Sequence, residues 1–343
     1  FSITYTPSFK YGSAKAFSFL LFNWALFIFP VLLIRTERSA IRIITILAAL
    51  AFSVTTFTVV SLVRALFSGS IIYSYRASFL GINPISFANW VGAVAIILIT
   101  YLANIEKRAL RKMTIATIGL LILTLFAANS RGPMTSFLLS FVLYGVVRFR
   151  HTSKRRLLQL TALLLLFVIV ALMVLPEQMT SRYTDLLTQE EGSKNYTFFT
   201  INTRLFAWKA ALEMGTANLF TFLFGVGTGG FSQTIYRQDI RWYPHNIFLE
   251  VFCELGLVGL LLLIWFLGVI VQEIRTTLKT SLNDRSRTLY YAFCMAAFFN
   301  LVNAQFSGDL NDNRRLWFFL GMVLALKQVF LNWELVKADG INQ

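Results

Sequence analysis

The chain has 343 residues, of which 57% are apolar and only 14% are charged, about half the charged share of an ordinary soluble protein. A water-soluble domain of that composition would aggregate, and the apolar residues come in blocks set apart by short basic runs. Such blocks exclude a β-barrel, whose strands alternate apolar and polar residues.

Taken in chain order, nine blocks read as transmembrane helices: 17–34, 43–66, 87–102, 113–128, 134–147, 157–175, 247–271, 289–306 and 316–331. Three are short for a span, but flanking aromatics and long basic side chains lengthen them by snorkelling. The expected fold is an all-α polytopic integral membrane protein. Transmembrane helices 1–6 occupy residues 1–175, a long periplasmic loop with an amphipathic helix and a Gly-rich turn occupies 176–246, and helices 7–9 with a cytoplasmic tail occupy 247–343. The chain starts at Phe1 with neither a methionine nor a signal peptide, so further N-terminal helices are expected to be missing from it.

The net charge of +15 suggests nucleic acid only until the basic residues are sorted by loop. Of the 31 Lys and Arg residues, eighteen fall in alternate short segments, from Arg35, Arg38 and Arg42 to Lys327 and Lys337, which marks those segments as cytoplasmic. Topology and lipid headgroups account for these charges, so no nucleic-acid partner is inferred. The segments 67–86, 129–133, 176–246 and 307–315 then lie outside. Cys253 and Cys294 fall within apolar blocks, where a thiol behaves as a small hydrophobe. Neither a disulfide nor a metal site is inferred, because no His, Cys and carboxylate cluster has ligand spacing.

The third outer segment is far longer than an ordinary loop. Within it, 200–215 sets Ile201, Leu205, Trp208 and Leu212 at helical spacing, which predicts an amphipathic helix ended by Gly215. The run Gly225-Val226-Gly227-Thr228-Gly229-Gly230 follows. It lacks the strand, lysine and spacing of a phosphate cradle, and a tight turn that admits close backbone approach is the simpler reading. The polar stretch 188–196 reads as a mobile tip.

Ionisable groups at a membrane boundary are costly unless they face a cavity or a partner, so each is a candidate. Arg131 sits in the turn Asn129-Ser130-Arg131-Gly132-Pro133, at the depth of a lipid's phosphates; it either binds such a phosphate or anchors the turn. Arg204, in Arg204-Leu205-Phe206-Ala207-Trp208, reads by itself as an interfacial anchor. His245 follows Pro244 and opens the apolar helix His245-Asn246-Ile247-Phe248-Leu249-Glu250. An imidazole with its ordinary pKa of about 6.5 accepts a proton at neutral pH, and a helix N-terminus disfavours its cationic form; a capping role is the alternative. Arg76, ahead of Gly81-Ile82-Asn83-Pro84, is a lipid contact or an anion ligand. Arg314 and Arg315 close the segment Ser307-Gly308-Asp309-Leu310-Asn311-Asp312-Asn313, whose polar groups suit sugar hydroxyls or pair with those arginines; pairing is the simpler reading. His151, in a basic inner segment, reads as solvated.

Together these segments resemble the O-antigen polymerase and ligase family of bacterial inner-membrane glycosyltransferases, the Wzy and WaaL proteins. The resemblance rests on Gly81-Ile82-Asn83-Pro84 after Arg76, Ser130-Arg131-Gly132, Arg204 with Trp208, and Gly225-Val226-Gly227. Above all it rests on the helix opened by His245, which continues into Glu254-Leu255-Gly256-Leu257-Val258-Gly259-Leu260. Ser307-Gly308-Asp309 with Asn313-Arg314 and Trp317 also fits.

The resemblance implies a GT-C-like enzyme of the inner membrane with a periplasmic site, which uses an undecaprenyl-diphosphate-linked oligosaccharide donor, a glycan acceptor and no cofactor. Arg131 and Arg204 would grip the donor diphosphate, and His245 would deprotonate the attacking hydroxyl, or else position the acceptor by hydrogen bonding. Arg76, Arg241, Arg314, Arg315, Asn246 and Asp309 would contact substrate. A diphosphate leaving group needs its developing charge stabilised, which Arg forks do well without a metal. Glu250 is not on the helical face of His245 and is not paired with it.

The lipid bilayer and a chain-length regulator protein are the further partners implied. The polymerase reading, with a lipid-linked repeat unit as acceptor, stands ahead of a ligase that transfers to lipid A core. A transporter ranks third, because its helices would carry buried charge and the apolar blocks here hold almost none.

Overall fold

The computed structural model describes residues 1–69, 76–149, 162 and 196–338. The apolar block at 157–175 apart from residue 162, His151 and most of the polar stretch 188–196 lie outside these residues. In chain order the helices are α1 (Phe9–Ser18), α2 (Trp24–Leu33), α3 (Glu37–Phe67), α4 (Pro84–Tyr101), α5 (Arg108–Ala127), α6 (Arg131–Phe149), α7 (Tyr196–Gly215), α8 (Leu219–Phe224), α9 (Gly230–Tyr236), α10 (Ile247–Lys279), α11 (Asp284–Asn303) and α12 (Arg314–Ala338). A π-helical turn, Phe19–Asn23, joins α1 to α2. No strand occurs among the described residues.

Six helical segments are long and apolar enough to cross a membrane: Phe9–Leu33, Glu37–Phe67, Pro84–Asn104, Arg108–Ala127, Ile247–Lys279 and Arg314–Asn332. The chain is a multi-pass membrane protein. The expected blocks 134–147 and 289–306 form α6 and α11, helices of 19 and 20 residues that are not among these six. In α6 the hydroxyls of Ser136 and Ser140 turn back onto the carbonyls of Gly132 and Ser136, at 2.9 and 2.7 Å, which hides their polarity inside the helix.

The chain divides into two compact units. One comprises Phe1–Glu37, Phe198–Leu282 and Ala304–Gln343. Its core joins Ala207, Ala210, Ala211 and Met214 of α7 to Phe231 of α9 and Cys253 of α10, with Trp242 and Leu249 packed against them. The expected stripe of α7 therefore lies elsewhere: Leu205 and Leu212 are exposed while the alanines are buried. Small residues at i, i+3 and i+4 let this helix come close to its neighbours, while Leu205, Phe206 and Leu212 are left on the other side.

Two glycine-dependent approaches shape the same unit. A Cβ on Gly225 would lie 2.3 Å from the carbonyl carbon of Glu254, and one on Gly321 would lie 2.2 Å from the carbonyl oxygen of Phe27 in α2. Around the first, Val226 and Gly227 donate their N–H groups to the carbonyls of Cys253 and Glu254, at 2.8 and 3.0 Å. The block expected as one continuous span at 247–271 is interrupted there, since Gly256 has φ 68° and ψ −168°. The Gly-rich run is thus a turn packed on another helix's backbone.

The second unit comprises Arg38–Thr197 and Asn283–Asn303. Its centre is α4, buried from Phe87 to Leu98 except at Trp90 and packed against α5, α6 and α11. Gly92 leaves room for the ring of Phe299 in α11. The motif Gly81-Ile82-Asn83-Pro84 is the helix start: the Asn83 side chain accepts from Ile85 N–H at 2.9 Å, with Pro84 at the first helical position.

Candidate functional site

In the first unit, Asn246 caps α10, its Oδ1 accepting the N–H groups of Phe248 and Leu249 at 3.0 and 3.1 Å. The side-chain carbonyl of this expected substrate contact is taken up by the helix. His245, one residue earlier, has φ 60°, a left-handed conformation that is uncommon for a side-chain-bearing residue and costs energy of order 1 kcal/mol. Its half-buried ring meets those of Trp242 and Tyr243, with centroids 6.2 and 4.6 Å away.

Burial first, and the positive charge of Arg204 second, push the His245 imidazole down to about 4, against a smaller opposing pull from Asp309. The ring is therefore neutral at pH 7. Arg204 shares a face of α7 with the buried Ala207 and Ala211, which orients it inward although it is itself only partly buried. The indole N–H groups of Trp208, one turn further along α7, and of Trp242 are buried and have no hydrogen-bond partner among the described residues.

The segment after α11 contributes Asp309, which is 1% exposed. It accepts from Tyr11 Oη at 2.9 Å and from the Asp312 N–H at 2.7 Å, and faces Arg241 Nε at 3.5 Å. Arg241 also pairs with Asp312 and lies over the Tyr243 ring at 5.5 Å. Its two carboxylate partners raise the guanidinium further above its ordinary value despite burial, which opposes the charge. Pairing with Arg314 and Arg315 was expected here. Among the described residues the arginine bonded to Asp309 and Asp312 is Arg241, and Arg314 lies over the Phe22 ring at 5.2 Å. The short segment turns its carboxylates back towards the end of the long loop.

Sequence reasoning missed one cluster. Lys15 of α1 donates to Glu250 Oε1 at 2.5 Å and to Glu254 Oε2 at 2.6 Å, and all three residues are at most 3% exposed. This corrects the expectation that the apolar helices hold almost no buried charge. The signal was present as Glu250 and Glu254, one turn apart on α10, but Lys15 was counted with the N-terminal stretch. Among the described residues, no three His, Cys, Asp or Glu side chains group as a metal site.

In the second unit the turn between α5 and α6 is Ala128-Asn129-Ser130, with Asn129 at φ 48° and buried. Arg131 is the first residue of α6 instead of a turn residue, and Pro133 fits the first helical turn, where its missing N–H is not needed. The Ala77 N–H donates to the Ala127 carbonyl at 2.8 Å, which brings Arg76 to the end of the helix preceding that turn.

A family model described as O-antigen ligase matches residues 116–264. That stretch contains Arg131, Arg204 and His245, and the match supports the Wzy/WaaL-like family read from the sequence. A comparison with curated proteins finds no match.

Proposed function

We propose that the chain is an O-antigen polymerase, an inverting membrane glycosyltransferase that moves an oligosaccharide from undecaprenyl diphosphate to a sugar hydroxyl of a lipid-linked repeat unit. The observation that carries this reading is the neutral His245 beside Arg204, within the stretch matching the O-antigen ligase model.

A neutral imidazole takes the acceptor's proton as its oxygen attacks the anomeric carbon, and the bond from that carbon to the diphosphate oxygen breaks. The guanidinium of Arg204 meets the charge that develops on the departing diphosphate. Arg131 keeps the diphosphate-binding role implied by the resemblance. The unpartnered indole N–H groups of Trp208 and Trp242 suit sugar hydroxyls.

An apolar cavity of about 420 Å³ lined by Phe19, Trp24, Phe27, Leu262, Phe266 and Trp317 suits a prenyl chain. Asn23, which also lines it, donates to the carbonyls of Leu310 and Asn311. In this reading α6, α11 and the 157–175 block complete nine spans in the bacterial inner membrane, and the site faces the periplasm. The buried charges of Lys15, Glu250 and Glu254 are bonded to one another and do not by themselves favour a transporter.

The description of the matching family favours a second reading, transfer of the finished glycan to lipid A core. Silver-stained gels of lipopolysaccharide from a strain lacking the gene, complemented with wild type or with His245→Ala, Arg204→Ala or Arg131→Ala, decide between them. Loss of long chains with a single repeat still attached to core is the expected polymerase result. Loss of every attached repeat, with glycan accumulating on undecaprenyl diphosphate, makes the protein a ligase. Normal glycan from all three variants refutes the site.

A further inference from the structure

A groove in the second unit has no part in the transfer chemistry as described. It encloses about 290 Å³ between the first turns of α3 and α5 and the end of α4. Ile41, Ile44 and Ala48, at i, i+3 and i+7 on one face of α3, form its walls with Leu98 of α4 and Leu110 of α5. Ile44 and Leu98 are buried, whereas Glu106, Lys107 and Arg285 at the mouth are exposed. The Asn104 side chain donates to the Arg285 carbonyl at 2.9 Å, which holds the start of α11 beside the turn that follows α4. Among the described residues neither Lys107 nor Arg285 makes an ion pair.

Apolar walls that open onto two unpaired cations, at the end of membrane-spanning helices, match an amphiphile with a phosphate headgroup. Two cations against one carboxylate leave the mouth positive. Arg38 and Arg42 near the start of α3, and Arg108 and Arg111 after Lys107, strengthen that field. The groove is separate from the expected diphosphate contact, because Lys107 precedes α5 and Arg131 follows it. The 20 residues of that helix span about 30 Å.

We propose that this groove binds one anionic phospholipid, its phosphate held by Lys107 and Arg285 and the first part of one acyl chain laid between α3, α4 and α5. Glu106 opposes the headgroup's charge and weakens the attraction. The site depends on the chain's place in a membrane and is independent of glycan transfer.

Native mass spectrometry of the purified full chain, delipidated in detergent and titrated with phosphatidylglycerol or with phosphatidylcholine of the same acyl chains, measures the lipid that stays bound. Wild type should hold one phosphatidylglycerol about tenfold more tightly than phosphatidylcholine. Lys107→Gln and Arg285→Gln should each weaken it about fivefold, and Glu106→Gln should tighten it. Lys112→Gln, at an exposed basic position of α5 outside the groove, should leave it unchanged. Ala48→Phe fills the groove without changing any charge and should displace the lipid, with the thermal midpoint in lipid-free detergent showing that the variant is folded. The charge variants lie at exposed positions and decide the site even where Ala48→Phe fails to fold.

Equal retention of the two lipids, or a loss in Lys112→Gln as large as in Lys107→Gln and Arg285→Gln, overturns the site in favour of a generally basic surface. Weaker binding by Glu106→Gln overturns the anionic headgroup in favour of one that carries an ammonium. Unchanged binding by a folded Ala48→Phe variant overturns the placement of the acyl chain.

Discussion

The His245 titration tests the site most directly. With its pKa at about 4 instead of 6.5, the imidazole is protonated in about one molecule in a thousand at pH 7, against roughly one in four for an unperturbed histidine. The difference makes protonation in place cost about 3 kcal/mol more than in water. Because the folded-state value is depressed, the sign follows: the neutral ring's contribution to stability is complete above pH 6.5 and is lost as the pH falls through about 4. The chain has 2 histidines, so His151→Gln leaves one imidazole signal, which NMR of histidine-labelled protein in nanodiscs can follow from pH 7 downwards. A midpoint near 4 is expected. Arg204→Met should move it upwards but not as far as 6.5, because burial is the larger cause and persists. A wild-type midpoint at 6.5, or a downward move in Arg204→Met, would refute both the burial of the ring and its closeness to Arg204.

Two further outcomes bear on how the site is held. Gly225→Ala should destabilise the protein by about 3 kcal/mol or more, because the new Cβ would fall 2.3 Å from Glu254 backbone at a φ of +77°; the thermal midpoint in detergent measures it. Asn246→Ala should cost about 1 kcal/mol as a lost N-cap, with Asn246→Ser recovering most of it, whereas a residue needed only for substrate would leave the thermal midpoint unchanged.

How much of this was legible in the sequence depends on the distance over which each feature is encoded. The spans of α3, α4, α5 and α12 follow from local apolarity, and the caps at Asn83 and Asn246 from one side chain and the two or three residues after it. The packing face of α7 was misread because large apolar residues were weighed above small ones. In an environment that is apolar on every side, burial against protein is decided by fit, and Ala207 and Ala211 fit where Leu205 and Leu212 do not. The Lys15–Glu250 bond links residues 235 apart, and Arg241 finds Asp309 across the whole of α10 and α11. No local pattern announces either pair.

The break in α10 shows the same limit in a positive form. Leu255-Gly256-Leu257-Val258-Gly259 reads as an unremarkable stretch of span, and glycine alone would not interrupt it. With Gly256 at φ 68°, the regular ladder cannot pass through it, and carbonyls in the preceding turn lose their helical partners. Those of Cys253 and Glu254 are met by the N–H groups of Val226 and Gly227, and Gly225 must lack a Cβ for that approach. The two glycine motifs that looked separate in sequence are therefore halves of one joint. It fixes the end of the long loop to the helix that begins beside His245, so substitution on either side should disturb the other.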